Sequence, residues 1–282
     1  MAGTQNNWLG ATTAGDFNVA ANFSDGATPS AGDDLKFLAE NTSVAGPTAN
    51  PAASAAILLN MFYVGPGYTQ TMGGSGAHIQ ISSEFVHYQG TSGKLWLKEG
   101  TNAGGTASVV CDSSSSSPLL HDCLQLTDTL FDRLAVIRGW CTLESSCAVT
   151  DITLGSRNSN TVESKLTINT GATAPGSVTV HQGIGSCLVN ATKLVMFGGT
   201  WTQESGGAVI TTIEMWGGNL ILKTGGTFAN VRHFGGTIDA TQGGGLHTFT
   251  NYFRMPGAVL LGEGNASLVA LPTTQPALAY VS

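Results

Sequence analysis

Charge is scarce in this chain. Only 10% of the residues are charged, and the 11 lysines and arginines are scattered singly, without a cluster anywhere. A phosphate-binding surface needs concentrated positive charge, so a formal net charge of −7 argues against nucleic acid and against anionic membranes as partners. The longest strongly apolar run, from Ala56 to Gly65, is far short of the roughly 20 residues a membrane-spanning helix requires. The opening residues MAGTQNNWLGATTAG have neither a basic start nor an apolar stretch of leader length, so export by the usual route is not expected. Five cysteines, Cys111, Cys123, Cys141, Cys147 and Cys187, are odd in number and show no CxxC spacing. That pattern argues against a disulfide framework or a zinc site and for buried, reduced thiols made in a cytoplasm. No GxxxxGK[ST] loop and no HxH or HExxH spacing is present, so no cofactor and no metal are expected, and His78, His87, His181, His233 and His247 read as surface or corner residues.

What the chain has in abundance is glycine, 38 of 282 residues, together with Ser, Thr and Asn, against an apolar content of 41%. Such a composition suits many short strands joined by tight turns around a real core. Between Leu194 and Asn251 the pattern becomes periodic: Gly pairs begin at Gly198, Gly217 and Gly235, and a second set begins at Gly206, Gly225 and Gly243, each set spaced by 19 and then 18 residues. Two landmarks drifting together mark a repeat, and a period near 20 with strand-like runs and no helical stretch suits one coil of a β-solenoid. An echo lies 60 residues upstream, where Gly139, Thr142, Glu144, Ala148 and Val149 match Gly199, Thr202, Glu204, Ala208 and Val209. The expected fold is therefore all-β, a single-stranded parallel β-helix with coils of about 20 residues and an N-terminal capping segment. Residues 1–56 form the cap or anchor, 57–271 the solenoid, and 272–282 a tail or second cap. Alternation should turn Ile79, Ile81, Leu95 and Leu97 inward, and the run Ser113 to Ser117 should be a solvated loop.

The first coil of a solenoid has no neighbour, so its apolar interior needs a plug, for which Trp8, Phe17, Phe23 and Leu35 are suited. The segment GDFNVAANFSDGATPSAGDDLKF places Asp16, Phe17, Asn22, Phe23, Gly26, Pro29, Gly32 and Asp33 in a turn-rich order. It resembles the A-N-W-S-x-G-x-x-P-x-x-G-D opening of many bacterial and phage β-solenoid proteins, departing from it at Phe23, where the pattern has Trp. With neither a leader nor a C-terminal membrane barrel, the resemblance implies a structural protein of a tailed phage virion: a capsid decoration, head fibre, or tail spike or fibre. It further implies a homo-oligomer, a trimer in particular, with capsid or tail proteins and a host surface polysaccharide as partners, in a particle assembled in the host cytoplasm. The alternatives are a tailspike-type depolymerase and a carbohydrate-binding adhesin.

Residues for chemistry are few. Phe197, Trp216 and Phe234 precede the Gly pairs and are expected to stack as an aromatic ladder inside the core; the alternative is an exposed stripe for sugar binding. Glu204 and Asp239 occupy comparable places in different coils, and Glu144 repeats the Glu204 position three coils earlier, about 14 Å away by strand stacking and too far for a catalytic carboxylate pair. Asp33 with Asp34, the group Asp122, Asp128, Asp132 and Arg133, and the triplet His121-Asp122-Cys123 are the remaining clusters. None has the spacing of a nucleophile–base or metal site, so no catalytic residue is assigned and the protein is expected not to be an enzyme.

Overall fold

The computed structural model describes residues 4–10, 17–41, 58–99, 107–157, 163–204 and 209–273. The fold is all-β, a parallel-stranded β-solenoid with coils of about 21 residues and almost no helix. In chain order the strands are β1 (Gln5–Asn7), β2 (Asp34–Phe37), β3 (Leu58–Val64), β4 (Ile79–Tyr88), β5 (Leu95–Glu99), β6 (Ala107–Asp112), β7 (Asp122–Thr127), β8 (Leu130–Leu143), β9 (Ala148–Leu154) and β10 (Ser164–Ile168). They continue as β11 (Ser177–Val180), β12 (Ile184–Cys187), β13 (Ala191–Met196), β14 (Thr200–Gln203), β15 (Ile210–Met215), β16 (Asn219–Leu222), β17 (Thr224–His233), β18 (Thr237–Asp239), β19 (Gly244–Arg254), β20 (Val259–Leu261) and β21 (Val269–Ala270). Among the described residues no helix is long and apolar enough to cross a membrane. Two compact units emerge, Met1–Thr150 with Glu163–Thr173, and Asp151–Val162 with Ala174–Ser282.

In the first unit, β1, β2, β3, the end of β4, β6 and β8 stack rung on rung, as in Leu35 opposite Phe62, Phe62 opposite Val86, Val86 opposite Val109 and Val109 opposite Leu134. These steps are 27, 24, 23 and 25 residues, longer than the sequence period. Ile79, Ile81, Leu95 and Leu97 are buried, as their alternation requires. Trp8, Phe17, Phe23 and Leu35 are buried too, and the Trp8 ring lies 5.3 Å from both Phe17 and Phe23. Asp16 of the opening pattern and the expected solenoid start at Ile57 lie outside the described residues. The strand ladder already includes β1 and β2 within the capping segment.

The second unit is more regular. Leu194 faces Ile213, Ile213 faces Val231 and Val231 faces Tyr252, in steps of 19, 18 and 21 residues. A second parallel sheet runs through β12, β14, β16, β18 and β20, with Trp201, Leu220, Ile238 and Leu260 turned inward. Gly199 and Gly218 make the corner between the two sheets at φ +71° and +87°, and a Cβ on Gly218 would lie 2.7 Å from the Gly199 carbonyl oxygen. Only glycine meets both demands, which is why the pair recurs. The second set of Gly pairs behaves differently: Gly225 and Gly226 lie within β17, where the ladder to β19 slips between Thr224 and Gly226, and Gly206 is outside the described residues. The last strand ends at Ala270, just before Pro272.

Candidate functional site

Within the second unit, β11, β13, β15, β17 and β19 alternate an inner and an outer residue. The inner residues nearest the corner are Val180, Met196, Met215 and His233, all buried. One step further along the chain come His181, Phe197, Trp216, Phe234 and Met255. Their backbone amides still donate to the previous rung, Phe197 to Val180 O at 2.8 Å, Trp216 to Met196 O at 2.8 Å, Phe234 to Met215 O at 2.7 Å and Met255 to His233 O at 2.9 Å. The ladder therefore continues through this position while the side chains, alternating, point away from the core. Phe197 is 48% exposed and Trp216 54% exposed. This corrects the expectation that Phe197, Trp216 and Phe234 line the core: Phe197 and Trp216 face solvent and Phe234 is half-buried. The parity of Leu194 and Met196, and of Ile213 and Met215, carried the signal, because a residue directly after an inner position must turn outward.

The rings form two stacked pairs. His181 lies 5.1 Å from Phe197 at 14° between planes, and Trp216 lies 4.1 Å from Phe234 at 21°; Phe253, on the outer face of β19, extends the second pair at 5.8 Å. Two further outward columns run beside the rings. The nearer holds Thr179, Val195, Glu214, Arg232 and Phe253, and the farther Ser177, Lys193, Thr212, Asn230 and Asn251, each in register along the ladder. Glu214 sits between two cations, 3.4 Å from Lys193 and 3.5 Å from Arg232, and Asn251 donates to Asn230 at 3.1 Å. At one end Arg157 donates to His181 Nε2 at 3.3 Å, and burial together with that cation holds the imidazole below its ordinary pKa. At the other end a shallow depression of about 460 Å³ adjoins Met255 and contains the Arg254–Glu263 ion pair. The face thus combines aromatic surface with amide, hydroxyl and mostly neutralised charged groups.

No family model, curated protein or solved structure matches this chain. The chemistry of its surfaces is what speaks to its function.

The other sequence candidates do not converge. Glu204 accepts from Lys223 at 3.1 and 3.3 Å and from Ser186 at 3.3 Å. Asp239 belongs to a different column, opposite Ile221, and accepts from the Thr241 amide at 2.9 Å and its hydroxyl at 2.6 Å. Burial pushes the Asp239 carboxyl up, but the hydrogen bonds from Thr241 and Gln242 outweigh it and leave the group below its ordinary value, the wrong direction for a general acid. In the first unit Glu144 accepts from Gln125 at 2.9 Å and Asn169 at 3.0 Å. Asp33 accepts from the Ser30 amide at 2.7 Å and the Thr4 amide at 3.2 Å, which makes it a turn-holding residue of the cap, while Asp34 accepts from Asn60 at 2.6 Å. Asp128 pairs with Lys98 at 3.0 Å, and Asp132 and Arg133 are exposed. Among the described residues no group of three or more His, Cys, Asp and Glu side chains is placed to hold a metal ion.

The triplet His121-Asp122-Cys123 disperses to three partners. Asp122 pairs with Lys94, Cys123 meets Cys111, and His121 Nδ1 lies 2.7 Å from Ser113 Oγ. His121 Nε2 faces the Gly93 carbonyl at 2.8 Å, and since a carbonyl only accepts, that nitrogen carries a proton. Ser113 is buried, with the Gly90 carbonyl at 2.9 Å and the Ser115 amide at 3.2 Å, so the expectation of a fully solvated serine loop is corrected at its first residue. A buried hydroxyl so enclosed ties down the loop and is out of reach of a substrate. Two histidines also differ from the surface or corner positions expected of them: His233 and His247 are wholly buried. His233 bridges Tyr252 OH and the Gly236 carbonyl, both at 3.1 Å, and His247 Nδ1 lies 3.0 Å from Leu268 O.

Proposed function

We propose that this protein is a non-enzymatic β-solenoid that binds a glycan through the outer face of the second unit. The observation that carries the reading is the exposure of Trp216 and Phe197 in a column beside aligned Asn, Thr and Ser side chains. A sugar ring offers C–H groups to an aromatic surface and hydroxyls to amides and carboxylates, and this face supplies both kinds of partner along one ladder. A contiguous apolar patch on a monomer surface, unlike single scattered residues, marks an interaction site. A depolymerase would need an acid and a base held about 5–10 Å apart, with the acid kept protonated. Asp239 is instead held ionised by Thr241, and Glu204 is engaged with Lys223.

We also propose that the face is displayed on the surface of a phage particle. What supports this is the resemblance of the capping segment to openings of phage β-solenoid proteins and the low charge of the chain. The test is binding of the full chain to an array of bacterial surface polysaccharides, with Trp216→Ala and Leu120→Ala, an exposed residue of the first unit, side by side. The reading predicts a loss of about tenfold or more in affinity for Trp216→Ala and none for Leu120→Ala. Equal binding by all three, or release of reducing ends from the bound polysaccharide, would overturn it.

A further inference from the structure

The sequence leaves all five thiols unpaired, yet two of them meet in the core of the first unit. Cys111 on β6 and Cys123 on β7 are fully buried with their sulfurs 3.1 Å apart. We propose that these two residues are a disulfide-forming site, closed by thiol–disulfide exchange with a small-molecule disulfide such as oxidised glutathione. Several features of the site favour closure between this pair. The sulfurs already touch, and a bond of about 2.05 Å asks for a further approach of only about 1 Å. Gly139, at φ +99° on β8, faces them; a Cβ there would come 2.8 Å from the Cys123 sulfur and 3.5 Å from that of Cys111, so the absence of a side chain makes room for the pair. Of the other thiols, Cys147 is hydrogen-bonded to Thr129 at 2.8 Å and Cys187 to the Val189 carbonyl at 3.2 Å.

The reaction balances without any group from the structure itself. One protein thiolate attacks a sulfur of oxidised glutathione, forming a mixed disulfide and expelling one glutathione thiolate. The second protein thiolate then attacks the protein-side sulfur and expels the other glutathione. The cysteines lose two electrons and two protons, and the oxidant leaves as two molecules of reduced glutathione. The hydrogen bond with Cys123 and burial both push the Cys111 thiol up, so exchange is slow in the folded unit and proceeds when the connection from Ser113 to His121 opens or while the chain folds. Once formed, the bond closes the short loop between β6 and β7 and restrains the connection that Ser113 and His121 already hold.

The experiment uses the full chain, refolded in a glutathione redox buffer and, separately, incubated folded with oxidised glutathione at mildly alkaline pH. The expected result in the refolded sample is a fall from five titratable thiols to three, a mass lower by about 2 Da, and a linked peptide joining Cys111 to Cys123. The oxidised form should melt higher, by about 5 °C. Cys123→Ser should abolish the linkage and Cys141→Ser should leave it intact. The mapping of the unsubstituted chain decides the matter even if a variant fails to fold. Five thiols persisting in both samples, or a linkage that joins Cys141 to either partner in comparable yield, would overturn the proposal.

Discussion

The two units place their aromatic residues differently. In the first, Trp8, Phe17, Phe23, Phe37, Phe62, Tyr68 and Tyr88 are buried and Tyr63, Phe85, Trp96 and Trp140 half-buried, and none of these rings is exposed. After the inner residues Tyr88 and Cys111 come Gln89 and Asp112, and Gln89 accepts from Tyr63 at 2.8 Å while donating to Asp112 at 3.1 Å. In the second unit the equivalent positions carry Phe197, Trp216 and Phe234, while Met196, Met215 and His233 fill the core beside them. Residue type alone therefore does not say where a ring goes. A cap must cover an open end and takes large rings for the purpose, whereas the regular coils keep Trp201, Phe228, Phe249 and Tyr252 inside and also set Phe197 and Trp216 outside, where a ligand can reach them.

Substitutions within the second unit should separate the two kinds of ring most sharply. Trp201 is wholly buried, and Trp201→Ala should cost about 3–5 kcal/mol in denaturant unfolding. Trp216→Ala should change stability by no more than about 0.5 kcal/mol. Comparable losses at both positions would collapse the distinction on which the proposed site depends. A smaller effect, about 3 kcal/mol, is expected for Gly218→Val, where the left-handed backbone and the Gly199 carbonyl both oppose a side chain. Gly26 in the first unit shares the positive φ but has open space around it, so Gly26→Ala should cost about 1 kcal/mol, as read from paired thermal melts.

The repeat made the solenoid legible before any coordinates. Gly199 and Gly218 require left-handed corners, and Ile79, Ile81, Leu95 and Leu97 alternate as inner strand residues do. The site was harder to see because Phe197, Trp216 and Phe234 look like core residues by composition, and only the parity set by Met196 and Met215 places them outside. The polar columns beside them depend on which residues face one another across rungs, and a sequence with variable coil length does not print that register. The Cys111–Cys123 contact is of the same kind: it joins consecutive strands in different sheets, and neither spacing nor an odd cysteine count announces it.

Acid should bear on the second unit through His233. Burial, partly offset by the hydrogen bond to the Gly236 carbonyl, holds this imidazole below its ordinary value of 6.5. The unfolded chain then takes up the extra proton first, so the stabilising share is fully present above pH 6.5 and is lost as the pH falls toward the folded value. Melting temperatures measured across that window should decline, and His233→Asn should flatten the part of the decline that belongs to this residue. His181 of the same unit and His78 and His87 of the first are also lowered by burial, so some slope should survive the substitution. The smallest effect is expected at the half-exposed Lys223–Glu204 pair, where Lys223→Ala should cost less than about 1 kcal/mol and less still at high salt.

The most direct test of the outward aromatic column is acrylamide quenching of tryptophan fluorescence in the full chain and in Trp216→Phe. Trp8 and Trp201 are wholly buried and Trp96 and Trp140 half-buried, while Trp216 is 54% exposed. The substitution should therefore remove the most readily quenched part of the emission, and a bound polysaccharide should shield that same part in the unsubstituted protein. An unchanged quenchable fraction in Trp216→Phe would put Trp216 in the core and contradict the account.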